Sequence, residues 1–540
     1  MMRNALVRLF VFGTAVGLAA CSTPDVTDTA DDAANSRIVS LDTGKIFGLP
    51  SPLGEDVRVY RGVPFAAPPV GDVRWRPPQP IAPWDGVRNA TVAAPACIQA
   101  VTPAGTDAFY DPGVDETSED CLYLNVWSAA APDDRVPVMV WIHGGAHVVG
   151  NGADISYDGT ALARRGVVLV TINYRLGALG FLAHPLLSAE SEHNASGNYA
   201  ALDQIAALGW VQRNIAAFGG DPERVTIFGE SAGSQSVNHL MATPLARGLF
   251  HRAIGESGGG FGSAGKAHLK AEMEAAGERF VEALLGADVE PSLEAMRSAR
   301  ADEVLGAPAP VRAAANVDGW VFPDTVYNIF AAGAHNDVPV IVGSNADEGT
   351  MFGTQGVDTL AAHREAVQQQ YGEFAEAFQA TYPADNDEQA RSARMASFAD
   401  AFFGWEMRTW ARMMETGSSP AYLYFFSRVP PAADADRYGA YHTAEIPYVF
   451  DNFGVGTSPH AKRDWDDTDR ELSDTLASYW VNLASTGNPN AEDLLEWPAF
   501  DRDADEALEI GDTIQVRSGI RKDRLDFFEK YYGAQRGETN

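Results

Sequence analysis

Residues 218–233 read FGGDPERVTIFGESAG, and the order of residue types in that stretch decides the fold. Val225, Thr226, Ile227 and Phe228 are a β-branched and aromatic run of strand type, followed at once by Gly229-Glu230-Ser231-Ala232-Gly233. Residues 234–241 lack proline and glycine and can continue as a helix. Strand, G-x-S-x-G and helix in that order describe a nucleophile elbow, a sharp turn that holds a serine hydroxyl out between small neighbours. The pentapeptide alone recurs by chance; the strand before it and the helix after it give it meaning.

Outward from this stretch the same alternation continues. Residues 136–142 read as a buried strand, and His143-Gly144-Gly145-Ala146 follows. Small residues at a strand end let backbone N–H groups face a cavity, the sequence form of an oxyanion hole, although a plain glycine turn reads the same way. Residues 167–173 are a mostly apolar run, interrupted by Thr171 and Asn173 alone, as a strand covered on both faces requires. Leu202, Ile205, Leu208, Trp210, Val211 and Ile215 recur at helical spacing over residues 200–218. Alternation of strand and helix over residues 136–260 predicts an α/β fold, a large, mostly parallel sheet with helices on both faces.

Further strands are expected at 122–127, 338–342 and 421–427, with short antiparallel strands over 37–60. The proline-rich run 63–83 cannot be helix and must cross the surface as irregular chain, pinned by Phe65, Trp75 and Trp84. Residues 266–306 predict two amphipathic helices, and the helical, aromatic-rich residues 357–416 predict a cap or wall over the site. No internal repeat or long linker divides residues 37–540, which read as one domain with helical insertions.

The N-terminus is a different kind of sequence. Arg3 and Arg8 precede a short apolar stretch ending in Leu18-Ala19-Ala20-Cys21, too short to span a bilayer and shaped as an export signal over residues 1–20. The ending resembles a bacterial lipobox, which implies a lipid anchor on Cys21, and Ser22 after it resembles cargo sent to an outer membrane. An ordinary signal with an incidental cysteine is the alternative. Residues 21–36, small, polar and acidic, then form a flexible tether, and the protein is expected in the cell envelope. Removing residues 1–20 takes away two arginines and no acid, moving the net charge from −33 to −35. Such an excess argues against nucleic acid and against anionic lipid as electrostatic partners. With Cys21 assigned, Cys97 and Cys121 are left as an even pair in an oxidising compartment, and a disulfide between them is expected. No His/Cys cluster suits a metal, and no cofactor is expected.

A serine hydroxyl is a weak nucleophile; it needs a histidine to take its proton and a carboxylate to orient that histidine. When the nucleophile sits on an elbow of this kind, the order along the chain is nucleophile, acid, base. Glu348 follows the strand at 338–342 in a glycine-flanked loop, with Asp347 as a rival. Of the downstream histidines, His363 lies inside a helical segment, His460 follows no strand directly, and His442 follows the strand at 421–427. Position favours His442.

At this point a family resemblance covers residues 40–530. The chain resembles the type B carboxylesterases and lipases of the α/β-hydrolase superfamily, which include bacterial para-nitrobenzyl esterases and the cholinesterases. Residues 218–233 fit the family's serine signature. Glu119-Asp120-Cys121-Leu122-Tyr123-Leu124-Asn125-Val126 fits its second signature, and further blocks similar to the family lie at 62–66 with 68–71, 173–177, 343–349 and 480–490. The resemblance implies the α/β-hydrolase fold, with Ser231 as nucleophile, Glu348 as acid in preference to Asp347, and His442 as base. It also implies an oxyanion hole of the Gly145, Ala146 and Ala232 N–H groups, a Cys97–Cys121 disulfide, and support of the histidine and acid through hydrogen bonds by Ser257. Glu230 is implied as a support of the site.

Two departures bear on substrate. Ala146 stands where many members have a third glycine; the donor is kept and a methyl group is added. The loop 98–120 holds Phe109 and Tyr110 but not the tryptophan with which cholinesterases grip a quaternary ammonium, so a choline ester is not the expected substrate. The expectation is hydrolysis of small to medium esters, aromatic or xenobiotic ones included, through an acyl-serine. The alternatives are a non-catalytic adhesion or binding protein on the same fold, and an enzyme specialised for carbamates, amides or long-acyl lipids.

Overall fold

The run 225–228 lies near the middle of an eleven-stranded sheet. The computed structural model describes residues 37–101, 109–111, 113–262, 268–457 and 459–538; the expected export signal and tether, and Cys21 with its expected anchor, lie outside the described residues. In chain order the sheet strands are β1 (Leu49–Ser51), β2 (Gly54–Pro64), β3 (Tyr123–Ser128), β4 (Val136–Ile142), β5 (Val168–Ile172), β6 (Gly220–Glu230), β7 (Arg252–Glu256), β8 (Val340–Asn345), β9 (Ala421–Phe426), β10 (Glu506–Ile510) and β11 (Ile514–Ser518). Their spatial order is β11-β10-β9-β8-β7-β6-β4-β5-β3-β2-β1. Strands β10 through β5 in that order run parallel, and antiparallel partners close both edges.

The larger helices are α1 (Tyr199–Asn214), α2 (Ala232–Ala242), α3 (Lys270–Leu285), α4 (Leu360–Tyr371), α5 (Asp387–Ala399), α6 (Trp405–Met414), α7 (Asp467–Thr486) and α8 (Lys522–Gln535). Alternation along β4 distributes the core between two layers: Val138, Val140 and Ile142 face one, Met139 and Trp141 the other. Leu208 and Trp210 of α1, Val237 and Leu240 of α2, Trp405 and Trp410 of α6 and Phe528 of α8 fill the first layer. Leu476, Trp480 and Leu483 of α7 fill the second, with Tyr448 and Phe450. The strands of the parallel region are apolar on both faces because both faces are covered.

Several boundaries differ from the sequence reading. Strand β8 runs on through Gly343, Ser344 and Asn345, each paired with β9, so the loop carrying Glu348 starts later than the glycine suggested. Residues 266–306 hold three helices rather than two, since the second breaks at 299–300 into Leu293–Ser298 and Ala301–Leu305. Strands β7, β10 and β11 are additions to the sequence expectation: Arg252–Glu256, for one, offers only Ala253 and Ile254 as apolar side chains, too few for a periodic signal. The proline-rich run starts as the end of β2, Val63 and Pro64 pairing with β3, and is irregular beyond it apart from one 3-10 turn, Gly71–Val73, with Phe65 and Trp75 buried and Trp84 partly so. Trp75 also donates Nε1–H to the Ala178 carbonyl at 2.9 Å.

Candidate active site

Ser231 stands between β6 and α2 with φ 56° and ψ −121°, left-handed backbone that an L-residue adopts at a cost of about 1–3 kcal/mol. Its N–H is tied to the Glu256 carbonyl at the end of β7, 2.8 Å away. The two glycines of the pentapeptide are required by close approach: a Cβ on Gly233 would lie 1.9 Å from the Ile142 carbonyl oxygen, and one on Gly229 2.5 Å from it. The helix start is thus pressed against the end of β4, where Gly144, Gly145 and Ala146 begin. A Cβ on Gly144 would come within 3.2 Å of Ser231 Cβ.

The Gly145 and Ala146 backbones are left-handed, with φ 94° and 55°. Among the described residues, none of the N–H groups of Gly145, Ala146 and Ala232 donates a hydrogen bond. For Ala232 this follows from its place in the first turn of a helix, whose N–H groups have no partner within the helix.

Glu348 lies in the turn after β8, and His442 in the loop after β9. Both are buried, and His442 Nδ1 donates to Glu348 Oε2 at 2.6 Å. The other oxygen of Glu348 accepts the Asn345 N–H at 2.8 Å. The rival carboxylate, Asp347, is committed elsewhere: it accepts the Ala440 N–H at 2.9 Å, while its own N–H donates to the Ala440 carbonyl at 2.9 Å. Asp347 therefore fastens the histidine loop to the acid loop. His363 packs against Phe378, and His460 Nδ1 faces the Tyr441 hydroxyl at 3.4 Å. The ring of His442 is walled by Phe403, 4.6 Å between centroids, and Phe352, 5.3 Å. Phe403 reaches it from a π-helical turn, Asp400–Gly404, between α5 and α6. Behind the acid, a Cβ on Gly349 would lie 2.1 Å from the Met395 carbonyl oxygen of α5, so this helical segment is a wall directly against the Glu348 turn.

His442 Nε2 lies 3.1 Å from Glu230 Oε1, out of line for a hydrogen bond. Among the described residues it makes no hydrogen bond with Ser231. Burial works against the charged imidazolium, but the charges of Glu230 and then Glu348 outweigh it and push the His442 pKa up to about 9. Glu230, fully enclosed, is itself raised well above the usual carboxylate range by burial, with His442 pulling the other way.

Sequence reasoning missed two further buried carboxylates. Glu445 accepts Asn345 Nδ2–H at 2.5 Å and the Ser257 hydroxyl at 3.3 Å, and burial followed by the charge of Glu348 pushes it up to about 7. Glu256 accepts Trp480 Nε1–H of α7 at 2.7 Å, and burial and Glu445 raise it as well. The hydroxyl of Ser257 thus bonds Glu445, not His442 or Glu348, and its support of the pair runs through Asn345 and Glu445. Glu445 sits three positions after His442 and Glu256 one before Ser257; that adjacency was the available signal.

Cys97 and Cys121 are joined by a disulfide. No cluster of three or more potential metal ligands occurs among the described residues, and none of the described helices is long and apolar enough to cross a membrane.

The Carboxylesterase family model matches residues 35–528. Fumonisin B1 esterase of Sphingopyxis macrogoltabida is 39% identical over 484 residues, covering 86% of this chain and 85% of that protein. Para-nitrobenzyl esterase of Bacillus subtilis (strain 168) is 34% identical over 500 residues, covering 89% and 96%. A solved PNB esterase structure superposes with a TM-score of 0.78 at 30% identity, over 91% of this chain and 99% of that one. With the family model spanning the β-sheet, the serine turn and the His442–Glu348 pair together, the chain belongs to the carboxylesterase family.

Proposed function

We propose that this carboxylesterase hydrolyses esters through an acyl-enzyme on Ser231, with His442 as general base and Glu348 as the acid that orients it. The observation that carries this reading is the 2.6 Å bond from His442 Nδ1 to Glu348, which keeps the proton on Nδ1 and leaves Nε2 to act as base. For the serine proton to move, Nε2 turns from Glu230 to the Ser231 hydroxyl as substrate enters, a contact that commonly tightens only in the complex. Serine attack on the carbonyl carbon forms the tetrahedral intermediate, whose oxyanion is received by the Gly145, Ala146 and Ala232 N–H groups. The imidazolium then protonates the leaving alcohol, and the neutral ring activates water to release the acid. Ser231→Ala is expected to cut kcat on p-nitrophenyl acetate by about 10⁵-fold or more; turnover at the wild-type level would overturn the assignment.

The relatives suggest the range of esters. One is named for fumonisin B1, another for para-nitrobenzyl esters, and a human relative, 34% identical, for cocaine. We take small to medium esters with aromatic or xenobiotic groups as the substrate class. The aromatic wall of Phe352 and Phe403 beside His442 supports that reading.

We propose further that residues 1–20 are an export signal and that Cys21 carries a lipid anchor in the cell envelope, on the strength of Leu18-Ala19-Ala20-Cys21. Cys21→Ala is expected to move the protein from the membrane to the soluble fraction; unchanged fractionation counts against the anchor.

A further inference from the structure

His147, a buried histidine outside the proton-transfer chemistry, stands one residue after Ala146 and continues the left-handed backbone, so that φ is 94°, 55° and 59° at Gly145, Ala146 and His147. Two of these three are not glycine, and such a run persists only where its surroundings hold it. The His147 carbonyl accepts the Gly177 N–H at 2.8 Å, and the Val148 and Val149 N–H groups close back on the Gly145 carbonyl, each at 3.0 Å. The ring crosses to the nucleophile helix: Nε2 lies 2.9 Å from the Ala232 carbonyl oxygen and 3.2 Å from Ser236 Oγ.

A carbonyl can only accept, so Nε2 carries the proton. Burial pushes the imidazole down to about 4, with backbone hydrogen bonds to Ala232 and then Ala313 pulling the other way, so the ring is neutral near pH 7. Ser236 Oγ in turn accepts Gln204 Nε2–H of α1 at 2.9 Å, and Phe181 packs against the ring at 5.1 Å between centroids. The loop after β4 is therefore tied through one side chain to the residue that follows the nucleophile.

We propose that His147 is the positioning residue of the oxyanion hole: its Nε2–H clamps the loop presenting Gly145 and Ala146 onto the helix presenting Ala232, and so fixes the spacing of the donors. This rests on the reading of those three residues as oxyanion donors for a Ser231 acyl-enzyme. A tetrahedral oxyanion needs all donors at hydrogen-bonding distance at once, whereas a bound ground-state ester does not. Loss of the clamp thus falls on kcat and spares KM.

The test is the steady-state kinetics of His147→Phe and His147→Gln on p-nitrophenyl acetate, with far-UV circular dichroism to verify folding. His147→Phe keeps a flat ring and loses the donor; His147→Gln loses the ring and keeps an N–H near the Nε2 position. His147→Phe is expected to lower kcat roughly 10²-fold with KM within about twofold, and His147→Gln to recover kcat to within about fivefold of wild type. The proposal is overturned if His147→Phe keeps kcat within about twofold, or if a folded His147→Gln is as impaired as His147→Phe. Ser231→Ala, run alongside, separates the two levels. Its full activity would remove the acyl-enzyme reading itself, whereas a Ser231-dependent enzyme indifferent to His147→Phe would remove only the clamp.

Discussion

His442 is the residue on which the electrostatics of the site converge. Its pKa, about 9, is held up against burial by two carboxylates, Glu230 and then Glu348, but a general base must be neutral to accept a proton. The sign follows directly. A negative charge near Nε2 favours imidazolium and moves the onset of activity to higher pH; removal of that charge moves it to lower pH. Glu230→Gln is expected to shift the acid limb of the kcat/KM profile of p-nitrophenyl acetate down by about one pH unit. A midpoint that stays in place would show that Glu230 is already neutral in the free enzyme, a state that its own burial favours, and one that rises would overturn the electrostatic argument. Asp347 makes a related point about residue identity. Its carboxylate, adjacent to Glu348, is spent on the Ala440 backbone, so the two neighbouring acids are separated by direction rather than by sequence position.

Individual elements explain why these side chains meet. Strands β6, β7, β8 and β9 are parallel neighbours, so the chain after each of the four emerges at the same end of the sheet. Ser231 follows β6, Ser257 follows β7, Glu348 lies beyond β8 and His442 beyond β9; topology alone brings to one edge residues far apart in the chain. The loop between Cys97 and Cys121 is organised differently. Among its described residues the only regular structure is a two-residue parallel ladder, Ala96–Cys97 against Thr117–Ser118. Its disulfide spans 24 positions. Closing a loop of that size in the unfolded chain is worth about 3 kcal/mol, so the Cys97→Ser, Cys121→Ser double variant is expected to lose about that much in urea denaturation. An unchanged midpoint and slope would show that the loop contributes nothing to the cooperative unit.

Charge acts on the molecule as a whole. Seventy-three acidic against forty basic side chains give a net charge of −33. Many arginines are already used in local pairs, such as buried Arg175 with Asp203 and Arg408 with Asp505 and Asp526, so the remaining acids are a diffuse, self-repelling surface. Screening should relieve it. Raising ionic strength from about 0.01 M to about 0.15 M shortens the Debye length from about 30 Å to about 8 Å and is expected to raise the thermal midpoint by a few degrees. A midpoint that falls with salt would show that local ion pairs outweigh the global repulsion.

Elements with strong local signals are legible in the amino-acid sequence. The β-branched run 225–228 and the glycines around Ser231 announced the strand and turn, mostly apolar runs announced β4 and β5, and helical periodicity announced α1. Chain order with strand context favoured Glu348 and His442, and family likeness chose between Glu348 and Asp347. The tertiary structure alone decided what depends on direction and enclosure. Strands such as Arg252–Glu256 carry too few apolar side chains to be read, because the sheet on either side, rather than their own pattern, makes them strands. The sequence pattern singles out neither Glu256 nor Glu445 nor His147; the fold buries all three, with Glu445 close enough to His442 to act on its charge and His147 bonded to α2 from the loop after β4. Local chemistry specifies which way the backbone turns. Which polar group ends in the dark beside which other depends on the packing of elements distant in sequence, and that information is spread over the whole chain.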